Sequence, residues 1–440
     1  MDVRGLKTVV VGMQKSGIAA AEFLAARGAS VRATDLKPLD QLPAAREAIE
    51  RIGASFAQQS REVFEGSDLV VISPDVPADL PILRGYRVIG EVELAGPYLK
   101  GRTIGITGSN GKTTTTSLIG HILREAGVPV QVGGNIGTPV CAMVEPSRDD
   151  GWNVLELSSF QLETISEFRA QIGLALNVTQ NHLDRHHTFE NYAAAKGRLF
   201  ETQRAGDHAV LNAEDPVCAG YAAKTAGKTE WFSSRRKVQG AHLCGDKLVL
   251  GGRLLMTAGE IPIRGRHNVE NVLAASIAAA RAGVSHQVIA AAVRTFRAVE
   301  HRLEFVRQLN GVDFYNDSKA TSVDATLKAL DAFEGGVWII LGGKDKGLDY
   351  GVLREPLAAK ARAALLIGAA APKIAAQIAG AVDIVEAKTM DAAVAHAFNA
   401  ASPGDTVLLA PACASFDQFR SYEHRGEVFK QLVHQLAPKD

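Results

Sequence analysis

Apolar residues come in short unbroken runs along this chain, each closed by a glycine or polar turn and followed by a segment with apolar positions at helical spacing. The first run, Thr8–Val11, leads through Gly12–Gly17 into a helix predicted over Ile18–Arg27, then a strand over Ser30–Thr34 that ends on Asp35. Further strands are predicted at Asp68–Ser73 and Val88–Gly90. The pattern restarts near Arg102, with strands at Trp152–Leu157 and Ile172–Asn177 and helices over Glu190–Thr202 and Asn268–Ala282. Residues 240–263 are turn-rich and β-like. A third start follows at Val312–Asn316, with later strands at Val337–Leu341, Ala364–Ile367 and Thr406–Ala410. Strands apolar on both faces, alternating with helices, imply an α/β protein built on largely parallel sheets. Three starts suggest three domains, at 1–95, 96–298 and 299–440.

Length agrees with that division, because 440 residues exceed what one compact core usually serves. With 48 basic and 48 acidic residues the chain lacks the basic excess of a nucleic-acid binder. Four cysteines without C-x-x-C spacing point to reduced thiols rather than a disulfide framework or zinc site. Cys413 stands among alanines and reads as a packing residue. No charged-then-apolar leader precedes Thr8, and no apolar stretch reaches the ~18 residues of a membrane span. A cytoplasmic, monomeric enzyme is expected.

The most informative stretch is Ile104–Thr114, an apolar strand running into Gly108-Ser109-Asn110-Gly111-Lys112-Thr113-Thr114. Backbone N–H groups of such a turn and the positive end of the following helix can hold the phosphates of ATP. Lys112 would neutralise the outer phosphates, and the Thr113 hydroxyl would sit on Mg²⁺. The strict phosphate-loop pattern would put its first glycine at Ile106, and Gly108 does the turning instead. Glu156 closes an apolar strand downstream, where a carboxylate beside a phosphate loop is well placed for Mg²⁺, with a carboxylate favoured by a helix start as the lesser reading. Ser158 is placed to cap that helix. The loop Asn177–His187 carries His182, with His186 and His187 read as surface residues. Lys196 falls among alanines and on pattern alone is a solvated helix lysine. The Gly12–Gly17 turn with Asp35 is Rossmann-like, but Gln14 replaces the second glycine, so a nucleotide diphosphate other than a nicotinamide cofactor is expected there. Polar turns at Asn316–Thr321, Leu341–Gly347 and Pro411–Phe419 each follow a strand, and together suggest one ligand site at the carboxyl edge of the last sheet.

This set of motifs resembles the Mur ligase family of peptidoglycan precursor synthesis. The phosphate loop, Gly134–Gly137, Glu156–Leu162, Asn177–Asp184, Tyr192 with Lys196, His267-Asn268 with Asn271, and His301-Arg302 match in order. Asn316–Thr321 and Pro411–Phe419 are most similar to the D-glutamate-adding members. The resemblance implies a Rossmann-like N-terminal domain, a central ATPase-type α/β domain and a Rossmann-like C-terminal domain. It implies an ATP-dependent amide ligase acting through an acyl phosphate, with UDP-N-acetylmuramoyl-L-alanine and D-glutamate as substrates. ATP would contact Asn271, Arg302 and Asp317 as well as the loop, and the UDP sugar would contact Ser16, Asp35, Lys37, Ser73 and Asn135. His182, Thr321, Lys346, Ser415 and Tyr422 would surround D-glutamate, with Lys319 among the catalytic cations. Two Mg²⁺ ions are implied, one on Thr113 and Glu156, the other on His182 and a carbamylated Lys196. The rivals are a sister ligase adding another amino acid and a folylpolyglutamate-type ligase. An NTP-gated binding module and a nicotinamide oxidoreductase are the alternatives from other classes.

Overall fold

The computed structural model describes residues 1–297 and 299–438, so the domain boundary expected at 298 lies outside the described residues. The chain forms two compact units, one of Met1–Glu260 with Glu270–Arg294, the other of Ile261–Val269 with the chain from Thr295 onward.

The first unit carries two sheets. Strands β1 (Lys7–Val11), β2 (Ser30–Asp35), β3 (Ser55–Gln58), β4 (Leu69–Ile72) and β5 (Val88–Gly90) lie parallel in the order β3-β2-β1-β4-β5. The second sheet contains β6 (Arg102–Thr107), β7 (Val130–Gly134), β8 (Trp152–Glu156), β9 (Ile172–Ala175), β10 (His208–Asn212), β11 (Lys228–Ser233), β12 (Gly240–Cys244), β13 (Lys247–Leu250) and β14 (Arg253–Thr257). Its order is β14-β13-β12-β11-β10-β9-β6-β8-β7, parallel from β7 to β12 and antiparallel through the last two pairings. All five residues of β8 are buried, as a strand covered on both faces requires. The turn-rich stretch expected at 240–263 is this antiparallel extension, which turns through Gly245 and the Gly251-Gly252 pair at positive φ.

In the second unit β15 (Glu304–Leu309) pairs antiparallel with β16 (Val312–Asn316), and β17 (Val337–Gly342), β18 (Ala361–Ile367), β19 (Asp383–Lys388) and β20 (Thr406–Leu409) are parallel, in the order β15-β16-β20-β17-β18-β19. The expected α/β class with three parallel-dominated sheets is therefore observed. Strand β9 stops two residues short of the expected Asn177, because the Asn177 main chain and side chain turn to the phosphate loop. Strands β3 and β7 escaped the pattern, since β3 has no fully buried position and β7 ends on two glycines. Among the described residues, no helix is long and apolar enough to cross a membrane.

Candidate functional site

In the first unit, β6 delivers the chain into the glycine turn, and the helix Lys112–Glu125 begins directly after Gly111. Gly111 has φ +82°, and a Cβ there would stand 2.4 Å from the Asn271 amide oxygen, so only glycine lets Asn271 reach the loop. The loop is clamped from β9. Asn110 N–H donates to Asn177 Oδ1 (2.9 Å), and Ser109 N–H donates to the Asn177 carbonyl (2.8 Å). Ser109 Oγ lies 2.9 Å from the Tyr192 hydroxyl. Lys112 curls back and donates to the Gly108 and Ser109 carbonyls (2.9 and 3.1 Å).

Behind the loop, Thr113 Oγ1 donates to Glu156 Oε2 at 2.7 Å, and Asn135 Nδ2 donates to Glu156 Oε1 at 2.9 Å. Thr113 and Glu156 are both buried. A buried hydroxyl and carboxylate side by side are hard-oxygen donors of the kind Mg²⁺ takes.

Lys196 overturns its pattern-based reading as a solvated lysine, since it is 1% exposed. Its Nζ donates to the Gly108 carbonyl (2.9 Å), which also accepts from Lys112, and it lies 4.6 Å from the centre of the Tyr192 ring. Burial, then repulsion from Lys112, holds its pKa well below the ordinary lysine value. His186 is likewise a correction. Expected at the surface, it is buried, with Nε2 2.9 Å from Ser159 Oγ and its ring stacked on Phe160. His187 is exposed as expected. His182 is exposed at φ +54°, with its ring edge-on to Phe160 at 4.9 Å, and the Asp184 side chain lies outside the described residues. Ser158 does cap the helix Ser159–Leu162, in a capping box with Gln161.

In the N-terminal sheet the Asp35 carboxylate accepts from Met13 N–H (2.7 Å) and Lys37 N–H (2.9 Å), binding the glycine turn to the end of β2. Ser73 is buried and its Oγ donates to the Gly12 carbonyl. Ser16 lies in the first turn of the helix Lys15–Ala26, and Leu36 stands 76% exposed beside Asp35.

The second unit brings its three polar turns together, as adjacency of β16, β20 and β17 dictates. Ala412 N–H donates to the Ala320 carbonyl, and Lys344 pairs with Ala414. Lys346 Nζ donates to the Thr321 carbonyl (3.2 Å), and Lys319 Nζ to the Tyr422 hydroxyl (3.0 Å). Ser415 is buried in the third turn. Burial pushes the Asp317 carboxyl up to about 7, against the opposing pull of Arg302. Arg425, which sequence reasoning missed, is fully buried in the helix Tyr422–Gln435. Its guanidinium donates to Ser318 Oγ (2.9 Å), the Ser318 carbonyl (2.7 Å) and the Cys413 carbonyl (3.1 Å), tying two of the turns. Nothing in its helical context marks it out from a surface arginine. Asn177 and His186 were visible only as members of a polar loop.

Comparison with known proteins follows the same order along the chain. Residues 6–91 match the Mur ligase MurD-like N-terminal domain, 106–279 the Mur ligase middle domain and 301–413 the Mur ligase glutamate ligase domain. The chain is 78% identical over the whole of both chains to a UDP-N-acetylmuramoylalanine–D-glutamate ligase of Solibacter usitatus. It is 52% identical to the protein of that name from Acidobacterium capsulatum, with 98% of this chain and 97% of the relative covered. Among solved structures, a UDP-N-acetylmuramate-alanine ligase from Thermotoga maritima shares the fold with a TM-score of 0.61 at 17% identity, covering 98% of this chain and 99% of that one. A pseudomurein peptide ligase type C from Methanothermus fervidus does so at 0.60 and 18%, covering 98% and 100%.

Proposed function

This chain belongs to the Mur ligase family, and from that premise we propose that it joins D-glutamate to UDP-N-acetylmuramoyl-L-alanine at the expense of ATP. The observation that carries the choice of substrates is the 78% identity over full length to a ligase of that name. The site chemistry supports the reaction class. A phosphoryl group passes from ATP to the alanine carboxylate, the D-glutamate amine attacks the acyl phosphate, and phosphate leaves to give the amide.

In this reading the amides of Gly108–Thr114 and the Lys112 ammonium hold the phosphates against their repulsion from the incoming carboxylate. Thr113 and Glu156 fit one Mg²⁺, since their oxygens already converge and Asn135 fixes the carboxylate's other oxygen. Mg²⁺ supplies charge neutralisation at the phosphoryl oxygens. His182 and Lys196 would hold a second ion. A neutral amine is no hard-oxygen ligand, but buried Lys196 is depressed toward the neutral form that adds CO₂, with loss of one proton, to become a carbamate. Asn271, Arg302 and Asp317 bind ATP; Ser16, Asp35, Lys37 and Ser73 bind the UDP sugar, with Asn135. Lys319, Thr321, Lys346, Ser415 and Tyr422 take D-glutamate, where two cations suit a dicarboxylate. Domain limits near 95 and 298 belong to the same reading.

Phosphate release from ATP with UDP-N-acetylmuramoyl-L-alanine tests it, with D-glutamate, L-glutamate, glycine and L-lysine offered in parallel. Release with D-glutamate alone is expected. Release with another amine instead would move the specificity to a sister ligase, and release with none would remove the ligase reading.

A further inference from the structure

Arg185 bridges the polar loop 177–187 of the central sheet and the turn that follows β4 in the N-terminal sheet. Its Nη2 donates to the Val76 carbonyl (2.9 Å) and to Glu163 Oε2 (2.7 Å). Its Nε donates to Glu163 Oε1 (3.3 Å), and its Nη1 lies 3.4 Å from the Asp75 carbonyl. The Arg185 side chain is 9% exposed and that of Glu163 19%. A lysine could not make this set of contacts, because only a planar fork grips a carboxylate through two nitrogens and still reaches a carbonyl. A second tie between the same segments, His187 to Asp79 at 3.3 Å, lies in solvent, where an ion pair contributes little.

The turn at one end of this bridge supports itself. Val76 N–H donates to the Ser73 carbonyl (2.9 Å), and Ser73 Oγ donates to the Gly12 carbonyl. At the other end Arg185 belongs to the short helix Leu183–His186, where Arg185 N–H and His186 N–H both donate to the His182 carbonyl (3.1 and 3.0 Å). His182 before that helix and His187 after it stand at φ +54° and +66°, in the left-handed region that a residue with a Cβ rarely adopts. Backbone strained on both flanks keeps its place only where its surroundings fix it. Phe160 is the common floor, with the His182 ring edge-on at 4.9 Å, the Arg185 guanidinium at 5.0 Å and the His186 ring stacked at 5.5 Å.

From this bridge between a self-supporting turn and a strained helix, we infer that Arg185 is a positioning residue that sets the His182 imidazole from the turn Ser73–Val76. The inference rests on the reading that Ser73 binds the UDP sugar and His182 serves the chemistry. Substrate and imidazole are then held in one frame, which is what a reacting carboxylate delivered from one domain to a metal site in the next requires.

The test uses the full-length protein labelled at histidine, without Mg²⁺ or ATP, with the His182 and His286 ring signals assigned by His182→Gln and His286→Gln. In Arg185→Met the His182 signal should lose its Phe160 ring-current shift, while His286 stays in place. UDP affinity, read by calorimetry, should remain within about threefold of the parent, because the turn carries itself. In ligation assays kcat should fall by about tenfold to a hundredfold, with the KM for the UDP sugar within about threefold. Glu163→Gln keeps the volume and one acceptor and should show the same pattern more weakly, so the test survives an Arg185→Met protein that does not fold. A His182 signal that stays put in both variants, or a parental kcat in both, would overturn the inference while UDP binding leaves the substrate site standing. UDP that fails to bind the parent would remove the substrate-site reading and the inference with it.

Discussion

Lys196 behind the phosphate loop and Arg425 beneath the C-terminal turns are both cations stripped of water, at 1% and 0% exposure, yet their surroundings treat them differently. Lys196 is given one carbonyl, shared with a second cation, and the face of Tyr192. Arg425 is given three oxygen acceptors in a fork that suits a guanidinium. Burial lowers both pKa values, but Arg425 is pushed down only to about 10 and keeps its charge near neutrality. A lysine can shed its proton and become a reactive amine, whereas an arginine cannot. The same burial thus favours the neutral amine at Lys196 and leaves Arg425 a charged structural tie.

Removal of each side chain probes that difference most strongly. Lys196→Ala should lower ligation by about a hundredfold to a thousandfold, on the scale of losing a group that stabilises transition-state charge. Short-chain carboxylates such as acetate should restore part of the rate by replacing the missing oxygens. Full activity without rescue would remove Lys196 from the chemistry. Arg425→Met should instead destabilise the protein by about 3 kcal/mol, because buried acceptors lose their donors. Chemical denaturation measures that loss, and carboxylates should not repair it. An Arg425→Met protein as stable as the parent would break the contrast from its other side.

A subtler difference lies in pH. The folded pKa of Lys196 lies below its unfolded value, so between the two the unfolded chain binds more protons and stability rises with pH. In CO₂-free buffer, Lys196→Met should therefore be more stable than the parent near neutral pH, and that advantage should shrink as pH climbs toward about 10. Arg425 replacements should show no such slope over that range. The smallest expected effect concerns Asp317, whose carboxyl ionises near 7. If the carboxylate accepts from the ribose, the KM for ATP should fall severalfold as pH rises through about 7, and Asp317→Asn should flatten that dependence. A KM independent of pH in the parent would deny the role.

Sequence carried much of this, for reasons that differ by element. Strands buried on both faces announce themselves, as β8 does, and the glycine turn after β6 is a local motif read without tertiary help. The three C-terminal turns came together because carboxyl ends of neighbouring parallel strands must share an edge. Burial of a polar side chain is another matter, since it depends on what arrives from elsewhere in the chain. Lys196 and His186 sit in stretches that look solvated, and they become interior residues through the phosphate loop and Tyr192 against one and Ser159 and Phe160 against the other. Resemblance to a family pointed to Lys196 where pattern had dismissed it, and gave no hint of Arg425.

The sharpest test of the contrast is a carbon NMR spectrum of the protein in 13C-enriched bicarbonate. A carbamate signal that is absent from Lys196→Met and unchanged in Arg425→Lys is the predicted result. No carbamate signal in the parent, or one that persists after Lys196 is replaced, would contradict the account.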